Sequence, residues 1–213
     1  MSLDATRLAE HIVHAILGGR LPPGTRLDHT DIADRLGMSP ALMDQVLAQV
    51  FACGLAERHP DHGIRVIAPD PATLLDRFEA LGEIAALCAS LAARRAPVDE
   101  MHSLEDRVGR MEDADPDAYR QMSFDLHDHV CRMTKNAELC HVCSDLRLRL
   151  RPVWPAWPGH TDWRRRSMHE HRALVEAICD RDEDQAAIIM RGHLRATARE
   201  VLFTAGICPT DLV

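Results

Sequence analysis

The residues best suited to chemistry are three histidines, His127, His171 and His193. Each falls on the apolar stripe of a predicted helix. His127 stands among Ser123, Leu126, Val130 and Met133; His171 aligns with Leu174, Val175 and Ile178; His193 aligns with Ile189 and Ala196. Inward faces of three helices converge in a bundle, so His127, His171 and His193 are expected to line one pocket. Neutral imidazoles are good ligands for zinc, nickel, copper or iron. The same pattern suits core histidines bonded to their neighbours, and both readings stay open. Asp125 and His129 also stand four apart, but they share the opposite face with Asp128 and Arg132, which predicts a solvated surface. Cys140 and Cys143 have the spacing of half a zinc site without a second Cys/His pair, so they read as thiols on a helix. Arg147, Arg149, Arg151 and the run Arg164-Arg165-Arg166 read as solvated faces. The sequence holds no nucleophile elbow and no phosphate loop, so nothing in it points to an enzyme.

The elements that must hold these residues begin after a linker, Ala68-Pro69-Asp70-Pro71. Its alternate prolines break any helix. Then Leu74, Phe78, Leu81, Ala85, Cys88 and Ala92 step by four and three, one apolar stripe that Pro97 ends. Helices are expected next near 99–112, 116–134, 136–150, 162–180 and 183–204. Residues 72–205 therefore predict an all-α domain of about six helices. Three prolines and a glycine between 152 and 160 predict a loop anchored by Trp154 and Trp157.

The stretch before the linker, residues 1–68, reads differently. A helix over 3–18 carries Leu3, Leu8, Ile12, Ala15 and Ile16. Leu21-Pro22-Pro23-Gly24-Thr25 is a turn, since proline fixes φ and glycine admits positive φ. Asp28-His29-Thr30-Asp31 can start a second helix that stops at Gly37, and Ser39 can cap a third that runs to about Cys53. Leu42, Val46, Leu47 and Val50 form its inner face. Leu55–His59 and Gly63–Ile67 read as a hairpin around His59-Pro60-Asp61-His62. Helix, turn, helix and hairpin make a winged helix-turn-helix.

The quoted residues resemble the DNA-binding heads of the GntR family of bacterial transcription regulators. The likeness lies in Gly19-Arg20-Leu21-Pro22-Pro23-Gly24-Thr25-Arg26-Leu27, Ile32 to Ser39, Leu47, Gly54-Leu55-Ala56 and Gly63-Ile64-Arg65-Val66. The helical part resembles the FCD effector-binding domain of the FadR-type branch. It does so through Leu91 to Ala96, Leu126-His127 with Asn136, Glu170 to Ile178, Asp182, Ala186 and Met190 to Leu194. Six helices suggest its VanR-like subgroup. The resemblance implies a divalent metal such as zinc or nickel, held by His127, His171 and His193. Where the family places an aspartate, one turn before the first histidine, this chain has Ser123. An effector pocket of Ser123, His127, His171 and His193 follows. Relatives often carry an Arg–Glu pair for the effector on the first helix of the domain; here those positions are Leu81 and Ala85.

For DNA, the family's recognition helix usually begins with two arginines, and this chain has Pro40 and Asp44 there. Arg26, Arg35 and Arg65 remain for phosphates and His62 for the wing tip, with Ser39, Asp44, Gln45 and Gln49 near base edges. Residues 1–68 hold six Arg against eight Asp/Glu, and the whole chain carries −8, a poor balance for nucleic acid. The reading is a homodimeric regulator of a near-palindromic operator that answers to a small carboxylate metabolite. Two others stand beside it: a degenerate head serving as a protein-interaction module, and a metalloenzyme built on the histidines. With no apolar run of membrane length and no basic, apolar leader, the cytoplasm is expected. Seven cysteines, an odd number, then read as buried thiols rather than disulfides.

Overall fold

Side-chain caps decide where several helices start. In the computed structural model, which describes residues 4–59, 63–151, 153 and 161–204, Asp4 accepts from the Thr6 amide and opens α1 (Ala5–Leu17). Asp28 accepts from the Asp31 amide and opens α2 (His29–Leu36), which Gly37 closes in the left-handed conformation, φ 63°. Ser39 accepts from the Leu42 amide and opens α3 (Pro40–Ala52), with Pro40 where a missing amide costs nothing. The Asp28 and Ser39 caps and the Gly37 stop are the ones expected from sequence; the Asp4 cap was not foreseen. Leu3, His62, Trp154 and Trp157 lie outside the described residues.

The chain divides into two compact units, Met1–Leu74 with Leu148–Ala156, and Leu75–Arg147 with Trp157–Val213. In the first, α1 to α3 are followed by β2 (Ala56–His59) and β3 (Gly63–Val66). A two-residue strand that sequence reasoning missed, β1 (Arg26–Leu27), completes an antiparallel sheet in the order β1-β3-β2. Gly24, at φ 81°, donates to the Val66 carbonyl and so brings the proline turn onto β3. Ile16, Met43, Val46, Leu47, Val50, Leu55, Ile64 and Val66 fill the core. Met43, rather than the expected Leu42, shares the inner face of α3; Leu42 lies half-buried at its margin.

The second unit holds most of α4 (Pro71–Arg95), then α5 (Val98–Arg110), α6 (Pro116–Met133), most of α7 (Ala137–Leu150), α8 (Thr161–Cys179) and α9 (Glu183–Thr204). The predicted stripe of α4 is its buried face: Leu74, Phe78, Leu81, Ala85, Cys88 and Ala92 are all inside. Asp115 caps α6 through the Asp117 and Ala118 amides, ahead of Pro116. The α8–α9 turn contains Arg181 at φ 59°, unusual for a residue with a side chain. Its guanidinium donates to the carbonyls of Ala93, Arg94 and Ala96 at 3.1, 3.3 and 2.9 Å, closing the C-terminus of α4. Among the described residues no helix is long and apolar enough to cross a membrane.

Candidate functional site

Tyr119, Ser123, His127 and Cys131 follow one another by four along α6, and all four are buried. Helical geometry stacks them in one column, a step of about 6 Å apart. His171 of α8 and His193 of α9 approach this column beside His127. One ligand nitrogen from each ring lies within 4.8 Å of the others. His127 Nε2 and His171 Nε2 are 3.4 Å apart, and the His171 and His193 ring centroids 4.6 Å. The inner stripe beside His193 consists of Ala186, Met190 and Thr197. Ile189 and Ala196, the neighbours expected from sequence, are only half-buried, because the face turns to follow the spacing 186, 190, 193, 197.

Outer partners fix these rings. Tyr119 Oη donates to Ser167 Oγ at 2.9 Å and lies 3.3 Å from His171 Nδ1, from which it is left to accept. That arrangement puts the lone pair of His171 on Nε2, toward His127. Glu170 Oε2 lies 2.7 Å from His193 Nδ1. A carboxylate only accepts, so Nδ1 of His193 carries a hydrogen, which leaves Nε2 as the ligand nitrogen of that ring. Burial holds His127 and His171 well below the ordinary histidine range; the nearness of His193 adds to this in both, and that of His171 and Arg147 adds to it in His127. Burial likewise pushes the Tyr119 phenol up to about 12.

The set fits a divalent metal. Two nitrogens bound to one tetrahedral zinc at ~2.0–2.1 Å each stand about 3.4 Å apart, which is the separation of the two Nε2 atoms here. Two rings also present free lone pairs, and the carboxylate behind His193 is the kind of support that histidine ligands carry. None of the three ligands is an anion. Ser123 is buried on the column where an anionic ligand would compensate the ion, so the site lacks one negative charge.

Comparison with known proteins gives the family. The family model described as FCD domain matches residues 76–196. An uncharacterised HTH-type transcriptional regulator of Mycobacterium tuberculosis is 30% identical over 210 residues, covering 90% of this chain and 87% of that protein. The chain is a GntR-family transcriptional regulator with an FCD domain. The Nta operon transcriptional regulator of Aminobacter aminovorans is 23% identical over 184 residues, 84% of this chain and 86% of its own. Among solved structures, E. coli McbR/YncC shares the fold with a TM-score of 0.77 at 15% identity, covering 96% of this chain and all of that one. A GntR regulator from Rhodococcus sp. RHA1 does so at 0.75 and 14%, over 93% and 97%. The relatives are regulators, not enzymes, and so is this chain.

The regulator departs from sequence expectation at several polar residues. Arg147 is not on a solvated face: it is 7% exposed, pairs with Asp128, and reaches Cys131 Sγ at 3.6 and 3.7 Å. Asp128 is half-buried by that pairing. His129 is also half-buried, with its pKa lowered by burial and then by Arg107, whereas Asp125 is exposed and accepts from Gln121. Arg164 donates to the carbonyls of Glu112 and Ala114 and lies over the Tyr119 ring at 5.0 Å. Leu81 and Ala85 are core residues, so no effector pair stands there.

In the head, Asp44 and Gln45 are exposed on α3 and Gln49 is half-buried. Ser39 spends its hydroxyl on the Leu42 amide. Arg65 pairs with Glu57 at 2.7 Å across β2 and β3, and Arg26, its register partner on β1, is exposed. Arg35 lies on α2. The Arg65–Glu57 pair depended on strand register, which sequence reasoning did not supply.

Proposed function

We propose that the chain is a cytosolic, DNA-binding regulator that senses a small carboxylate metabolite at the His127, His171 and His193 cluster. The convergence of three buried imidazoles, two of them held with a free nitrogen by outer partners, is the observation that carries this reading. A divalent ion there, zinc or nickel by ligand type, would supply Lewis-acid attraction for a carboxylate. The chain's own part is to keep His127 and His171 neutral by burial and to orient His171 and His193 through Tyr119 and Glu170. It also leaves the missing negative charge to be filled by the ligand, since Ser123 is neutral. The six helices of the second unit, among the described residues, support the VanR-like assignment.

Sensing then acts on DNA through linkage: a ligand that favours one head arrangement changes DNA affinity, and DNA changes ligand affinity by the same factor. A homodimer gripping two half-sites fits this role. Its support is apolar exposure in the helical unit, at Leu87, Ile188 and Phe203. Calorimetric titration of zinc-loaded and chelated protein with small mono- and dicarboxylates tests the sensing. Heat from the loaded form alone is expected, and equal binding to both would end the metal part of the reading.

A second reading keeps the fold and gives the head a protein partner. Asp44 on the exposed face of α3 and the pairing of Arg65 with Glu57 favour it, since both reduce positive charge toward phosphates. Titration with random-sequence duplex DNA at low salt separates the two. Salt-sensitive binding is expected for the regulator, and none for the interaction module.

A further inference from the structure

One turn beyond His127 on the α6 column, Cys131 meets two thiols from other helices. Cys88 of α4 and Cys143 of α7 are completely buried, Cys131 is nearly so, and the three sulfurs lie within 4.8 Å of one another. Cys88 Sγ and Cys143 Sγ are 3.8 Å apart. All three cysteines are free. The Arg147 guanidinium lies against Cys131 Sγ and is itself fixed by Asp128.

We propose that Cys88, Cys131 and Cys143 form a second metal site, one that takes a soft, three-coordinate ion of the copper(I) class. Thiolates select soft ions, whereas the imidazole cluster suits zinc or nickel. Three sulfurs bound to one ion at ~2.3 Å stand roughly 3.8–4.0 Å apart, close to the Cys88–Cys143 separation and inside the limit for the whole group. Structural zinc wants four ligands, and the grouping contains three; the nearby carboxylate, Asp128, is occupied by Arg147. Binding requires the thiols to shed their protons, and metal thiolates accumulate negative charge. Arg147 supplies positive charge beside the sulfurs in a place from which water is excluded. This site stands whether or not the imidazole cluster holds an ion, because it shares no ligand with it.

The test is anaerobic titration of reduced full-length protein with copper(I) against a chromophoric copper(I) chelator. The wild type is expected to withhold one ion per chain. Cys131→Ala and Cys143→Ala are expected to weaken retention at least tenfold, while Cys53→Ala, in the first unit, leaves it unchanged. Equal retention by the wild type and both cluster variants would overturn the site, as would loss in Cys53→Ala of the same size. X-ray absorption at the copper edge of the wild type does not depend on the variants folding. Three sulfur neighbours are expected, and a shell dominated by nitrogen or oxygen would overturn the proposal.

Discussion

The imidazole cluster and the thiol cluster sit one helical turn apart on α6, yet the chain supports them in different ways. Around the imidazoles it provides orientation: Tyr119 and Glu170 each hold a ring nitrogen, and burial keeps His127 and His171 uncharged. Around the thiols it provides charge. Arg147 lies on Cys131, and hydrogen bonds from the Cys143 and Cys88 thiols, with that guanidinium, hold Cys131 well below the ordinary thiol range while Cys88 and Cys143 are pushed up. A neutral ligand needs its lone pair aimed, and an anionic one needs its charge compensated. The difference teaches what each cluster should be sensitive to.

The sharpest test of the comparison removes one imidazole. His171→Ala should lower zinc or nickel affinity at least about 100-fold, more than the loss of an outer partner costs, while Cys143→Ala leaves it within about twofold. Metal analysis of tag-free protein purified without chelator reads both. A cysteine variant that loses zinc as fully would merge the two clusters into one.

Charge support predicts a stability effect. Arg147→Leu leaves Asp128 unpaired and Cys131 without its cation. Breaking a fully buried pair costs about 3–5 kcal/mol, and the partial exposure of Asp128 reduces this to about 2 kcal/mol. Urea unfolding of the metal-free protein measures it, and a cost under about 0.5 kcal/mol would remove Arg147 from the argument.

Neutral rings predict a pH effect of similar size. His127 and His171 have folded pKa values below the unfolded value near 6.5, so the unfolded chain binds more protons as pH falls. Their contribution is intact above pH ~6.5 and is lost as pH falls through the window toward their folded values. Two such groups cost about 2 kcal/mol between pH 6.5 and 5.5. Unfolding of chelated protein across that range checks the sign, and a His127→Gln/His171→Gln variant should flatten the dependence. The smallest effect belongs to orientation: Glu170→Ala should weaken zinc binding about tenfold with no change in copper(I) retention.

The imidazole cluster was legible because each histidine interrupts an apolar stripe as a polar residue, and the helical period alone places it inward. The thiol cluster was not. Cysteine counts as a small apolar residue on such a stripe, so Cys88 looked like ordinary core, and only the packing of α4, α6 and α7 brings it to Cys131 and Cys143. Arg147 was misread for the converse reason: an arginine predicts solvent unless its partners are known, and Asp128 and Cys131 stand on another helix. The helices were readable from caps and prolines. The two-residue β1 was not, since its pairing with β3 carries no local period.

Arg181 ties two distant stretches into one dynamic unit. The last carbonyls of α4 have no helical partners, and two of them, at Ala93 and Arg94, with that of Ala96 just beyond the helix, receive hydrogen bonds from a side chain 85 to 88 residues further on. Closing the end of α4 therefore requires the α8–α9 turn to be formed, and opening that turn uncovers the end of α4. In amide hydrogen exchange the two stretches should open together, with the same free energy, although neither adjoins the other in the chain.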